Sequence, residues 1–168
     1  NDWAFNIFET LFEKNKGFKE AEEAAEKEIT NQSWNSQDKA LQLFAILFAK
    51  NQGFKEATQA AEKGFADQDK DVRESALKLF KALVEKDQAF KEAAQTAGTV
   101  IGSSKYENDC AVIIFETLFA KNQGFKEAAQ AAEKEITNQS WNRQDKALTL
   151  CAILFTNKKR FQVATQVA

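Results

Sequence analysis

Apolar residues recur along this chain with the period of a helix. In the segment 38–48, DKALQLFAILF, residues Ala40, Leu41, Leu43, Phe44, Leu47 and Phe48 fall at i, i+1, i+3, i+4, i+7 and i+8, which is one broad stripe on a helix. Ala76, Leu77, Leu79, Phe80, Leu83 and Val84 repeat it. A second kind of segment follows each stripe and reads F-K-E-A-x-x-A-A. Its Phe54, Ala57, Ala60, Ala61 and Phe65 share a face, as do Phe125, Ala128, Ala132 and Ile136. Alanines there let two helices approach closely, and phenylalanines fill the space between layers. Between the two segments stands K-N-Q-G, whose Gly17, Gly53 and Gly124 suit the left-handed conformation that ends a helix.

The pattern is periodic on a larger scale. Phe18, Phe54, Phe90, Phe125 and Phe161 are separated by 36, 36, 35 and 36 residues. ITNQSWNSQDKAL at 29–41 returns as ITNQSWNRQDKAL at 136–148, so three units were duplicated as a block. A fixed period of this size marks a stacked array, in which a helix pair cannot bury its apolar face alone and neighbours supply the burial. The expected fold is all-α: a right-handed α-solenoid of about five two-helix repeats in one domain. The units run approximately 1–36, 37–72, 73–107, 108–143 and 144–168, with the last truncated at Ala168. Neither end shows a polar capping unit, so end-to-end self-association through the terminal repeats is expected. The start at Asn1 without a methionine fits a processed or excised chain. Capping-box spacing at Asp71 with Glu74, and at Ser104 with Glu107, predicts helix starts.

Composition sharpens this. Proline is absent, and hydrophobic residues make up 43% of the 168 positions, enough for a core. With 23 basic and 25 acidic residues the net charge is −2, too small to attract nucleic acid or anionic lipid. No apolar run is long enough to span a membrane, and a cytoplasmic setting is the default expectation. There is no histidine, which removes the commonest general base and metal ligand. Cys110 and Cys151 sit at non-equivalent repeat positions and read as small buried apolar residues, with no disulfide framework and no metal site.

The stretch DKDVRESALKLFKALVEK at 69–86 resembles the second helix of a HEAT repeat through Asp71, Val72, Arg73, Ala76, Leu77 and Leu79. The other units carry Asn1, Gln37, Asn108 and Gln144 at the arginine place. LFAILFAKNQGFKEATQAAEK is similar to a tetratricopeptide unit through Phe44, Ala45, Phe48, Phe54, Ala57 and Ala61. HEAT-like (armadillo-type) is the preferred resemblance and tetratricopeptide-like the runner-up. Both imply that the Leu/Phe-rich helices line an inner, concave surface.

On that surface the repeats differ from one another. One stripe position holds Trp3, Lys39, Ser75, Cys110 and Lys146; the next holds Asn6, Gln42, Lys78, Ile113 and Thr149; a third holds Thr10, Ile46, Ala82, Thr117 and Ile153. Variation among copies suits a partner-reading face and equally suits a plain solvent face. Trp3, Asn6, Gln42, Lys78 and Thr149 are the candidate partner-binding residues, with Trp3 as an aromatic anchor. Trp34 and Trp141 lie in polar inter-unit segments, each more simply read as folding over an adjacent helix pair.

Other motifs reduce to structure. Ser36-Gln37-Asp38-Lys39 spells the S-x-x-K of some acyl-transfer enzymes, but its copy begins with Arg143, and helix capping is the better account. Asn31-Gln32-Ser33 and Asn138-Gln139-Ser140 match a glycosylation acceptor and a turn alike. Repeated Lys-Glu neighbours read as a solvated helical face with local ion pairs. Lys39, Lys78 and Lys146 begin a basic track for phosphates, which Glu9, Glu85 and Glu116 interrupt. The expected function is therefore non-catalytic, without cofactor: a scaffold that binds a protein or peptide. Nucleic-acid reading and a purely structural spacer are the alternatives.

Overall fold

The computed structural model describes residues 2–31, 33–101, 105–137, 144–145 and 147–157. The side chains of residues 2–5, 9, 105, 106 and 108 lie outside that description. Eight helices follow one another: α1 (Asp2–Glu13), α2 (Phe18–Ile29), α3 (Trp34–Ala49), α4 (Phe54–Phe65), α5 (Lys70–Glu85), α6 (Phe90–Val100), α7 (Lys105–Ala120) and α8 (Phe125–Ile136). A further helical stretch covers 147–157, and no strand occurs among the described residues. The expected all-α, solenoid-like arrangement of helices packed on their sequence neighbours is what forms.

The helices fall into two compact units, 1–83 and 84–168, the division passing through the last turn of α5. In the first unit α2 packs on α1 and α3, α3 packs on α4, and α2 runs along α4. Phe65 of α4 meets Phe80 of α5 edge to face at 6.0 Å, adding attraction beyond the area buried. Gly64 lets α4 approach its neighbours closely. A Cβ there would stand 2.8 Å from Leu41 Cδ1 and 3.1 Å from Ala76 Cβ. In the second unit α6 packs on α7 and α8, and α7 on α8. The predicted stripes are the core: Leu41, Phe44, Leu47, Phe48, Leu79, Phe80, Leu83, Phe115 and Leu118 are buried, with Ala57, Ala61, Ala128 and Ala132 of the second helices.

The K-N-Q-G turn works differently from the expectation. The helix is ended by the asparagine, not the glycine. Asn15, Asn51 and Asn122 are left-handed, with φ of 52°, 61° and 57°. Asn51 N–H donates to the Phe48 carbonyl, and Gln52 N–H reaches back to the Leu47 carbonyl at 3.0 Å, the paired bonds of a Schellman end. Residues 11–16 and 118–123 repeat those bonds. The glycines are left-handed too, but each stands before the next helix, and its carbonyl accepts that helix's first bond, Ala57 N–H to Gly53 at 2.8 Å. Two left-handed residues two apart thus reverse the chain within four positions. Asparagine tolerates that conformation through its short polar side chain, which is why the turn pairs it with glycine. In the third repeat Asp87 and Ala89 take both places, Ala89 with φ 53°.

Two other starts shift. Asp69, rather than Asp71, caps α5, its Oδ1 accepting the N–H groups of Asp71 at 2.8 Å and Val72 at 3.2 Å. Helix α3 begins at Trp34, so Ser36 is inside its first turn and buried rather than capping it. The Ser104–Glu107 cap lies outside the described residues at Ser104.

Candidate functional site

The variable stripe is a mixed surface. Asn6, Gln42, Lys78 and Thr149 are exposed, while Trp3 belongs to α1 with its side chain outside the described residues. Lys39, Ser75, Ile46, Ala82, Thr117 and Ile153 are half-buried. Cys110 departs from the others: at 4% exposure it belongs to the core, as a small apolar thiol does. Cys151 is half-buried, short of the burial expected of it. Lys146 and Trp141 lie outside the described residues.

Between α3 and α5 the stripe is knitted by one carboxylate. Gln42 Nε2 donates to Asp38 Oδ2 at 2.9 Å, and the Ser75 hydroxyl donates to Asp38 Oδ1. Sequence reasoning passed over this bridge, although Asp38 and Ser75 stand one period plus one residue apart. Lys78 pairs with Glu74 at 3.4 Å on its own helix. The Thr10, Thr117 and Thr149 hydroxyls donate to the Asn6, Ile113 and Asp145 carbonyls four residues earlier, at 2.9, 2.8 and 3.0 Å. Those threonines thus turn their polar atoms onto their own helices.

Trp34 is the sharper aromatic. It opens α3 instead of standing in a loop, and it is 51% exposed. It borders a polar groove of about 600 Å³ with Gln37, Ala66, Asp67, Gln68 and Asp69. Arg73 braces the loop behind this groove, its Nη1 donating to the Asp67 and Gln68 carbonyls at 2.7 Å each. The neighbouring Asn31 accepts the Ser33 N–H on its side-chain oxygen at 3.1 Å, which makes N-Q-S turn chemistry here. Its copy at Asn138 lies outside the described residues.

Titratable groups converge at one place among the described residues. The carboxylate oxygens of Glu22, Glu26 and Glu56 lie within 4.8 Å of one another, joining α2 to α4. Burial first, and then the like charges of Glu56, Glu26 and Glu23, push the Glu22 carboxyl above its ordinary value. On the solvent side Lys19 pairs with Glu23 at 3.7 Å, one of the local ion pairs the Lys-Glu repeats predict. The second unit carries a larger, apolar groove of about 690 Å³ between α8 and the stretch 147–157. No helix among the described residues is long and apolar enough to cross a membrane. No protein family, curated protein or solved structure matches the chain.

Proposed function

We propose that this chain is a non-catalytic scaffold that docks a protein or peptide on the helix face bearing Gln42 and Lys78. The observation that supports it is the Asp38 bridge. Gln42 on α3 and Lys78 on α5 occupy the same repeat position and are both exposed, while Asp38 bonds Gln42 and also Ser75 of α5. The bridge fixes the Gln42 amide, which therefore loses little side-chain freedom when a partner binds, a condition that favours selective docking. Trp34 supplies an exposed aromatic of the kind that anchors interfaces. Asn6, Thr149 and Trp3 extend the same reading to the other repeats.

Of the two helical-repeat patterns, the HEAT-like one is the closer reading. Arg73, at that pattern's arginine place, bonds the carbonyls of its own inter-helix loop. On that reading the helix pairs wind as a right-handed solenoid with the first helices inside, and the tetratricopeptide-like arrangement is the competitor.

The test compares proteins captured by the immobilised chain, by a Gln42→Glu/Lys78→Glu variant and by Lys55→Glu on an exposed part of α4. Loss of a captured protein with the double variant alone supports the docking face. An identical captured set from all three refutes it. Retention of the chain on single-stranded RNA at physiological salt would move the assignment to nucleic-acid binding.

A further inference from the structure

The groove bordered by Trp34 joins an aromatic face to carboxylates. Trp34 stands exposed at the first position of α3, and Gln37 lies one turn further along that helix. The rest of the lining comes from the end of α4 and the loop to α5, where Asp67 and Asp69 are half-buried. Among the described residues that line the groove, these two alone are charged, so its field is negative. Both carboxylates are held in place. Asp67 Oδ1 accepts the Asp69 N–H at 2.9 Å, and Asp69 Oδ1 accepts the N–H groups of Asp71 and Val72. Those bonds use one oxygen of each carboxylate, so each Oδ2 remains as an acceptor that loses little freedom on binding. The combination belongs to this joint between repeats. One and two repeats on, Lys70 and Lys105 hold the place of Trp34, while Gly102 and Ser104, then Asn138 and Ser140, hold those of Asp67 and Asp69. Joining repeats therefore requires neither the indole nor the two carboxylates.

We propose that this groove receives an arginine side chain of a protein or peptide partner. A guanidinium is planar and permanently charged; its face stacks on an indole while its edge donates to carboxylate oxygens. Trp34 supplies the face, and Asp67 and Asp69 supply the acceptors. A lysine ammonium meets the charge but has no plane to stack. A nucleic-acid base can stack, but its phosphates are then drawn towards two carboxylates. At about 600 Å³ the groove is larger than one side chain, so residues flanking the arginine enter with it. The inference rests on the reading of Trp34 as a docking anchor, and not on the face bearing Gln42 and Lys78.

The test titrates the isotope-labelled full chain with blocked Gly-Gly-X-Gly-Gly peptides, where X is arginine, lysine or citrulline, the neutral isostere of arginine. The Trp34 indole N–H and the backbone N–H groups of Asp67, Gln68 and Asp69 report binding by nuclear magnetic resonance. Arginine is expected to give saturable shifts that weaken with salt, lysine to bind less tightly, and citrulline to bind about tenfold less tightly. Asp67→Asn/Asp69→Asn keeps the backbone bonds, since asparagine caps a helix as aspartate does, and is expected to lower arginine affinity about tenfold. Trp34→Ala, read on the loop N–H groups, is expected to lower it as well. Absence of a saturable shift, lysine or citrulline binding as tightly as arginine, or unchanged affinity in either variant overturns the proposal. Tighter binding of a single-stranded oligonucleotide at the same signals also overturns it. Should a variant fail to fold, the comparison of arginine with citrulline in the unmutated chain decides alone. Gln42→Glu/Lys78→Glu is titrated alongside, because neither residue lines the groove. Arginine binding that persists there supports the groove whatever that variant does to captured proteins, and binding lost there overturns it.

Discussion

The Lys121 ammonium donates to the Glu85 carbonyl oxygen at 2.8 Å, one repeat period earlier, and faces the Asp87 carboxylate at 2.9 Å. The lysine of one K-N-Q-G turn is thus bound to the corresponding turn of the repeat before it. That gives the motif's first letter a role the spacing of apolar residues does not reveal. Replacing Lys121 with methionine keeps the stem and removes both contacts. Because Asp87 is largely exposed, the loss in urea unfolding is expected to be about 1 kcal/mol or less, and to shrink with added salt.

Backbone conformation gives a stabilising substitution. Ala89 holds a left-handed conformation that costs a Cβ-bearing residue roughly 1–2 kcal/mol. Ala89→Gly is therefore expected to raise stability by about 1 kcal/mol in chemical denaturation. The reverse change, Gly17→Ala, adds a Cβ 2.9 Å from Leu11 Cδ1 as well as the unfavourable φ, and its melting temperature falls.

Gly64 separates propensity from packing. On an exposed helix, glycine to alanine gains about 1 kcal/mol. Here the added methyl meets Leu41 and Ala76 below normal contact distance, and overpacking of this kind costs about 1–3 kcal/mol. Gly64→Ala is expected to be destabilising in thermal unfolding, and a rise in melting temperature would contradict the close helix approach.

The Glu22, Glu26 and Glu56 cluster makes stability depend on pH. The folded-state value of Glu22 is raised, so the folded chain holds this proton more tightly than the unfolded one. The resulting stabilisation is complete below the ordinary glutamate value and is lost as pH rises through the raised one. Glu22→Gln removes that dependence. It is expected to be more stable than the parent at neutral pH, with the difference narrowing on acidification.

Much of the fold can be read from the sequence, because hydrophobic period and repeat spacing are direct consequences of helix geometry. The Leu/Phe stripes, the alanine faces and the left-handed glycines are where the pattern puts them. The exceptions have a common cause: a choice between adjacent polar residues that period alone does not make. Asn51 rather than Gly53 ends α3, Asp69 rather than Asp71 starts α5, and α3 begins two residues before Ser36. Each is settled by which side chain or carbonyl reaches a free backbone N–H. The candidate surface was legible as a set of exposed positions at Asn6, Gln42, Lys78 and Thr149. The Asp38 bridge was not, since it depends on two side chains meeting from helices a full repeat apart.

The rings of Phe12, Phe48 and Phe119 each meet the ring six residues later, at 5.2, 5.0 and 4.7 Å, and this short interval has a kinetic consequence. A contact that closes so short a loop forms early and at small entropic cost, so each hairpin can assemble before distant parts of the chain have met. Refolding is then governed by local events, and several hairpins compete to nucleate it. Substituting Phe48 or Phe119 would slow refolding in proportion to how often its own hairpin goes first.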